Sequence, residues 1–257
     1  MKLTIITINY NNREGLKKTI DSVICQTWRD FEWIVIDGGS TDGSKELIEQ
    51  YQEHFAYWCS EPDKGVYNAM NKGIAKANGD YLNFMNSGDC FASPTILEEI
   101  FITPYTADIL YGYMLAGSIN GNTCNKRLMK NKIEWYDLYY DTLPHQSTFI
   151  RKDLIRRLGG YREDLKIVAD WELFVKAIVY EKSTYKFISK KISIYEGNGI
   201  SSSSELRKNE RLAIIHQLFP KMMVDELPSI ISIKTVRNYR LTRPLYSLLY
   251  RIACHRR

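Results

Sequence analysis

Four apolar residues that end on a carboxylate and two glycines constrain this chain more than any other stretch: Trp33 to Ser44, WIVIDGGSTDGS. Trp33, Ile34, Val35 and Ile36 form the continuous, β-branched run expected of a strand buried on both faces. Asp37 stops the run, and Gly38 and Gly39 permit a sharp turn. Ser40, Thr41 and Asp42 offer helix caps ahead of a helical pattern through Leu47, Ile48 and Tyr51. A strand, turn and helix in this order belong to an α/β sheet. They put Asp37 at the C-terminal end of a parallel strand, where such sheets hold their ligands. A carboxylate there accepts from a ribose hydroxyl or a base N–H. The same residues also read as a simple capped turn.

The first half of the chain repeats the pattern. Leu3 to Ile8 is a strand, followed by a helix with Leu16, Ile20, Val23 and Ile24 at helical spacing. A helix near Lys45 to Gln52 follows the second strand. Phe55 to Cys59 reads as a third strand, Gly65 to Ala77 as a helix closed by Asn78-Gly79, and Asp80 to Met85 as a fourth strand. Alternation at such short intervals predicts a parallel sheet with right-handed crossovers. Farther on, the patterns predict a helix over Pro94 to Phe101, a strand over Asp108 to Ala116 and a hairpin at Asn120-Gly121-Asn122. They also predict strands at Ser147 to Ile150, Tyr185 to Ser189 and Ile192 to Tyr195, and helices over Ala169 to Tyr180 and Glu205 to Phe219. A polar link, Ser201 to Ser204, precedes the last helix.

Each of the first four strands ends in polar residues at one edge of the sheet: Thr7 and Asn9, then Asp37, then Glu61 to Lys64, then Asn86 to Asp89. Four such endings imply a polar crevice. Asp89, at the tip of the loop Asn86-Ser87-Gly88-Asp89, suits Mg²⁺ or Mn²⁺ bridging a diphosphate, because those ions take few protein carboxylates. Read alone it is a turn residue. Lys64 can pair with phosphate as a point charge, or be a solvated lysine. No GxGxxG follows the first strand, and there is no GxxxxGK[ST] or GxSxG, which disfavours dehydrogenases, P-loop NTPases and α/β hydrolases. The five cysteines (Cys25, Cys59, Cys90, Cys124, Cys254) include no CxxC pair, and the four histidines are dispersed. Neither a zinc site nor a disulfide framework is expected, and a reducing compartment fits.

In their order along the chain, these stretches resemble the family 2 glycosyltransferases of the GT-A fold. TIITINYNN from Thr4, SVICQTWRDFEWIVIDGGSTDGS from Ser22, DKGVYNAMNKGIAKANGDYLNFMNSGD from Asp63, HQSTFIRKDL from His145 and ADWELFVK from Ala169 carry the resemblance, over roughly residues 1 to 195. Within the family they are similar to colanic-acid-type transferases of bacterial polysaccharide assembly. The resemblance implies a nucleotide-diphospho-sugar transferase fold with a mostly parallel central sheet flanked by helices. It implies transfer from a nucleotide sugar, UDP-linked, to an acceptor hydroxyl, with inversion.

Carried over by position, Thr7 and Asp37 contact the nucleobase or ribose, and with Asn9, Lys64 and Asp89 from the polar strand endings they make up the expected donor site. Asp89 is the protein ligand of a Mg or Mn ion, and Asp170 is the catalytic base. His145 and Gln146, after Pro144, read as lining the acceptor side or as structural polar residues, and Trp171 as a sugar platform on that side or as core. Asn86, Gly88, Met70 and Ala169 depart from the family's pattern. Physically, Asp170 would take the acceptor's proton near a helix N-terminus whose dipole favours its charge; spacing alone would make it a cap. The competing readings are a nucleotidyltransferase of the same fold and a non-catalytic nucleotide-sugar or polysaccharide-binding protein.

The expected division is a GT-A domain over residues 1–198 and a basic helical extension over 199–257. After Glu226 there are seven basic residues and no acidic one, whereas the first 226 residues carry 28 basic and 30 acidic side chains. From Leu245 to Ile252 the extension suits a helix lying in a membrane interface, its arginines on anionic headgroups, or a helix packed on the protein or a second subunit. Met1-Lys2 leads straight into a strand, so no signal peptide is expected. No run approaches the roughly 20 apolar residues of a membrane span. The expected setting is therefore cytoplasmic, with peripheral contact to the inner membrane face if the acceptor is lipid-linked. A homodimer stays open, and no nucleic-acid partner is expected.

Overall fold

A computed structural model of the chain describes residues 2–117, 128–195 and 204–238. The hairpin expected at Asn120–Asn122, the serines 201–203 and the segment 239–257 lie outside the described residues. Two compact units are resolved, Met1–Arg211 and Leu212–Arg257.

The first unit opens with three βα steps and a fourth strand. Strand β1 (Leu3–Asn9) leads to α1 (Arg13–Ile24), β2 (Phe31–Asp37) to α2 (Ser44–Gln50), and β3 (Tyr57–Ser60) to α3 (Val66–Lys76), which returns to β4 (Tyr81–Phe84). The four strands are parallel, in the order β3-β2-β1-β4. Every residue of β1 is buried, as expected of a strand covered on both faces. Helix α1 turns Leu16, Ile20 and Val23 inward, and Asn12 caps it by accepting from the Gly15 N–H at 3.1 Å. These side chains join Leu3, Ile5, Trp33, Val35, Leu47 and Ile48 in one core. Each such aliphatic contributes about 1.5–3 kcal/mol relative to exposure.

The sheet is extended by β5 (Asp89–Phe91), β6 (Ile109–Ala116), β7 (Thr148–Arg151) and β8 (Tyr185–Tyr195), giving the full order β3-β2-β1-β4-β7-β6-β8-β5. β7 pairs antiparallel to both β4 and β6, and β5 antiparallel to β8, while β6 and β8 are parallel. Short helices α4 (Ile96–Phe101), α5 (Trp135–Tyr140), α6 (Lys152–Arg157) and α7 (Ala169–Val175) connect them, and α8 (Ser204–Leu218) follows β8. The expected mostly parallel sheet flanked by helices is present. In the second unit, α8 ends and α9 (Lys221–Asn238) follows, with Ile214, Ile215, Leu218, Phe219 and Leu227 buried.

Several local expectations are corrected. Helix α2 is not capped by Ser40, Thr41 or Asp42. Gly43, at φ 88°, occupies the cap position, and Asp42 accepts instead from the N–H groups of Arg13 and Ser44. Asn78-Gly79 does not close α3 through a left-handed glycine, since Ala77 is the extended cap residue. Gly79 is there for close approach: a Cβ would lie 2.5 Å from backbone atoms of Leu3 and Thr4. Its N–H and that of Asn78 donate to Glu32, which also accepts from the Thr4 hydroxyl at 2.6 Å. Burial pushes the Glu32 carboxyl up, but these donors more than reverse that and hold it below its ordinary range. The two strands expected over 185–195 are one strand, whose irregular register against β6 falls between Tyr111 and Met114. The helix expected to reach Tyr180 passes at Lys176 into a π-helical turn.

Candidate active site

The parallel register sets up the site. Asn9 pairs with Asp37, and Asp37 with Ser60, so three polar side chains stand in one row at the C-terminal edge of β1, β2 and β3. The Asn9 amide donates to Asp37 Oδ1 at 2.7 Å, and the Ser60 hydroxyl to Oδ2 at 2.7 Å. The chain then turns at Gly39 (φ 80°) and brings back the Ser40 hydroxyl (2.6 Å) and N–H (2.9 Å) to the same carboxylate. Burial pushes Asp37 up, but donors from Ser40, Ser60 and Asn9 outweigh it and keep the carboxyl ionised below its usual range. Asn9 Oδ1 is buried and has no donor. Beside this row Tyr10 is 66% exposed, and its ring lies 3.2 Å from where a Gly38 Cβ would be. Asp63 crowds the same spot. Lys64 is exposed on the loop before α3, its N–H donating to Asn68.

Thr7 departs from its expected role. It is fully buried, its hydroxyl donating to the Met85 carbonyl at 2.8 Å and accepting from Trp33 Nε1 at 3.0 Å. Thr7 therefore braces β1 against β4 and Trp33, with no side-chain surface to offer a donor.

Antiparallel β7 starts where β4 ends, and this carries the preceding turn, His145–Ser147, to the same edge. Asp89, the first residue of β5, is buried, and its carboxylate accepts from Gln146 Nε2 at a long 3.4 Å. Burial pushes Asp89 up to about 7, against the pull of His145 and Gln146. At the other end of the Asn86–Asp89 turn, Asn86 Oδ1 is buried without a donor, while Asn86 Nδ2 approaches His145 Nε2 at 3.2 Å. The other ring nitrogen of His145 lies 3.4 Å from Asp170 Oδ2. Burial alone would lower the His145 imidazole, but its hydrogen bond to Asp170 and the charges of Asp170 and Asp89 raise it above its ordinary value.

Asp170 is the second residue of α7 and is 14% exposed; Oδ1 accepts from the Tyr67 hydroxyl at 3.3 Å and from the Trp171 N–H at 2.7 Å. Tyr67, on α3, is held neutral well above its normal range by burial and by Asp170. His145 and Asn86 thus link the β4–β5 turn to Asp170, while Gln146, the next residue, bonds Asp89.

Of the two readings of Trp171, the structure has the core one. At 2% exposure it cannot serve as a platform for a sugar; its indole N–H donates to the Leu138 carbonyl at 2.6 Å. Gln146 is likewise buried and faces Asp89. Sequence reasoning missed Tyr10, whose exposure is its signal, and Tyr67, whose hydroxyl touches Asp170 across 103 residues of chain.

A divalent cation is consistent with these groups. Asp89 accepts from Gln146 at a long 3.4 Å and from the Asn86 backbone, yet its carboxyl stays elevated, and Asn86 offers an orphaned buried oxygen, so hard oxygen ligands flank one turn. Among the described residues no cluster of three His, Cys, Asp or Glu exists that would hold a metal unaided.

Comparison with known proteins is consistent with this arrangement. The model of glycosyl transferase family 2 matches residues 4–165. An uncharacterized glycosyltransferase of Mycobacterium tuberculosis is 31% identical over 232 residues, 85% of each chain. A PGL/p-HBAD biosynthesis glycosyltransferase of Mycobacterium bovis is 26% identical over 93% of this chain and 98% of its own. The structure of Staphylococcus aureus TarS 1-349 with UDP-GlcNAc superposes with a TM-score of 0.68 at 20% identity, covering 84% of this chain and 66% of that one. A mannosyltransferase of Pyrobaculum calidifontis with GDP-Man and Mn²⁺ gives 0.58 at 15% identity, over 77% and 58%.

Proposed function

The chain belongs to glycosyl transferase family 2 and is a glycosyltransferase, and from that premise we propose that it moves one sugar from a UDP-linked donor to an acceptor hydroxyl with inversion. The observation that carries the reading is the convergence of Asp37, Asp89 and Asp170 on one sheet edge, with His145 bonded to Asp170 and Gln146 to Asp89.

Asp37 does not stand free to meet the nucleotide. Its carboxylate fixes Asn9, Ser40 and Ser60, and so sets the shape of the edge against which the donor's base and ribose lie. Exposed Tyr10 offers a face on which a base stacks. Lys64 meets the diphosphate as a point charge.

On the far side Asp170 accepts the hydroxyl proton. The acceptor oxygen bonds to the anomeric carbon as the bond to the diphosphate breaks, and the electron pair leaves with the diphosphate. Positioned proton acceptance contributes typically 10²–10⁴-fold. Asp89 and Asn86 would hold a Mg²⁺ or Mn²⁺ ion, which when bound would neutralise charge on the leaving diphosphate. His145, held between Asn86 and Asp170, keeps the base oriented.

We assign the chemistry to residues 1–198, and to the basic segment 227–257 contact with an anionic membrane face that presents a lipid-linked saccharide acceptor. Among the described residues no helix is long and apolar enough to cross a membrane. A surface polysaccharide or glycolipid is the product class, made on the cytoplasmic side, and self-association through the extension is compatible with this placement.

The test is a panel of UDP- and GDP-sugars screened for thermal stabilisation with Mn²⁺. A bound donor at a hundredfold excess over its dissociation constant raises stability by about 2.7 kcal/mol. Stabilisation by UDP-sugars and release of UDP are expected. Stabilisation by GDP-sugars alone would replace the nucleotide assignment, and no response to any member would reject the crevice as a donor site.

A further inference from the structure

Helix α7 carries Asp170, yet little of its own sequence fixes where it starts. Val168, its cap residue, has no side-chain acceptor. The N–H groups of three consecutive residues, Lys166, Ile167 and Val168, instead converge on one carboxylate from far along the chain, Glu210 of α8, at 2.6, 2.8 and 3.3 Å. Successive N–H groups form a concavity that favours an anion, so this carboxylate, supplied from another helix, anchors the loop that leads into α7.

The next residue works on the other side. The Arg211 guanidinium donates to the carbonyls of Leu138, Tyr139 and Tyr140 at 3.3, 2.7 and 3.0 Å. These belong to the last turn of α5, where carbonyls lack intrahelical partners. The same guanidinium lies 4.2 Å from the centroid of the Trp171 ring, whose N–H is bonded to Leu138. Trp171 is thus gripped on its face and at its edge, one residue from Asp170. On the opposite flank, Arg162 and Lys176 hold the buried Glu172.

We propose that Glu210 and Arg211 are positioning residues for the base: a paired clamp on α8 that fixes the start of α7 and, through Trp171, the place of the Asp170 carboxylate. The clamp rests on the reading of Asp170 as the base. A displacement near 1 Å at a reacting group costs on the order of 10²-fold, so loosening α7 should be expensive in turnover while leaving the nucleotide row on β1, β2 and β3 untouched. Both residues lie beyond the stretch the family match covers, which ends at residue 165, as does Asp170 itself.

The experiment uses the full chain and the variants Glu210→Ala, Glu210→Gln, Arg211→Met and Arg211→Lys. Amide exchange over residues 166–171 is read first, because it needs no substrate. Faster exchange there in Glu210→Ala, with β1, β2 and β4 unchanged, is expected, and unchanged exchange would overturn the clamp. Calorimetry with UDP and Mn²⁺ should give a dissociation constant within about twofold of wild type. UDP release at saturating UDP-sugar should fall ten- to a hundredfold in Glu210→Ala and Arg211→Met, with donor KM unchanged. Glu210→Gln, which keeps one acceptor oxygen, should recover part of the rate. Arg211→Lys, which lacks the planar fork, should recover little. In an Asp170→Asn background, adding Glu210→Ala should cost less than twofold, because both act through one group. An undiminished further loss there, or a parallel loss of UDP affinity, would overturn the proposal in favour of general scaffolding. Wild-type turnover by Asp170→Asn alone would remove the base assignment, and is distinguishable because it concerns a chain whose clamp is intact.

Discussion

Replacing Asp89 by asparagine should make the metal-free protein more stable at alkaline pH, although the substitution removes a donor-site residue. The carboxyl is buried, and burial raises it from 3.8 to about 7. A folded value above the unfolded one means that stability is complete below pH 3.8 and is lost as pH rises through about 7. At about 1.4 kcal/mol per pH unit, the gap between 3.8 and about 7 corresponds to about 4 kcal/mol. Asparagine keeps the shape and an oxygen for Gln146 but carries no charge. In chelator at pH 8, Asp89→Asn should therefore exceed wild type by up to about 4 kcal/mol, near 10 °C at the usual 2–4 °C per kcal/mol for a chain this size. At pH 4 the two should agree within about 1 kcal/mol. Urea denaturation at both pH values measures this. Mn²⁺ should reverse the order at pH 8, since only wild type gains by binding it. An Asp89→Asn chain that is no more stable than wild type at pH 8 in chelator would refute the reasoning from burial.

Asp37→Ala should abolish UDP binding by calorimetry and cost about 3 kcal/mol in denaturation, because the Asn9 amide, the Ser40 N–H and two hydroxyls lose their acceptor. Asp37 is held below its ordinary value, so its stabilising contribution is present above pH 3.8 and is lost as pH falls below it; the Ala variant should lack that part of the acid transition. Glu32→Ala should cost about 2–3 kcal/mol, yet leave turnover of the folded protein unchanged, because Glu32 lies at the opposite end of β2 from Asp37. In flotation with anionic vesicles, the full chain should bind and release with salt, whereas a chain ending at Asn238, lacking Arg240, Arg243, Arg251, Arg256 and Arg257, should lose flotation, since about 1 kcal/mol per basic residue amounts to roughly a thousandfold in affinity.

How much could be read from the sequence follows the range of the interactions. Asp37 was legible because strand, turn and helix lie within twelve consecutive residues. The polar endings of the first four strands were legible because a parallel block aligns its C-terminal ends by topology. That Thr7 is spent on Trp33 and Met85 was not legible, since a hydroxyl at a strand end reads the same whether it faces ligand or core. Gly79 reads as a helix stop but serves a close contact with Leu3 and Thr4, 75 residues away in chain order for Thr4. Trp171 reads equally as a sugar platform or as core in a segment of mixed polarity, and only its burial decides. Glu210 and Arg211 are hidden among other charges of α8, and nothing local marks their partners 42 to 73 residues upstream. The resemblance carried Asp170 and Asp89 to one edge, while the links through His145, Asn86 and Gln146 needed coordinates.

The claim at the centre of this account is that Asp170 takes the acceptor's proton at the donor-binding edge that Asp37 shapes and Asp89 lines. The most direct measurement compares Asp170→Asn with wild type in two assays on the same preparation: calorimetric titration of UDP with Mn²⁺, and turnover of the UDP-sugar. The account predicts UDP affinity within about twofold of wild type and turnover lower by about 10²–10⁴-fold, the range of a lost general base. Turnover near the wild-type rate with unchanged UDP affinity would contradict it.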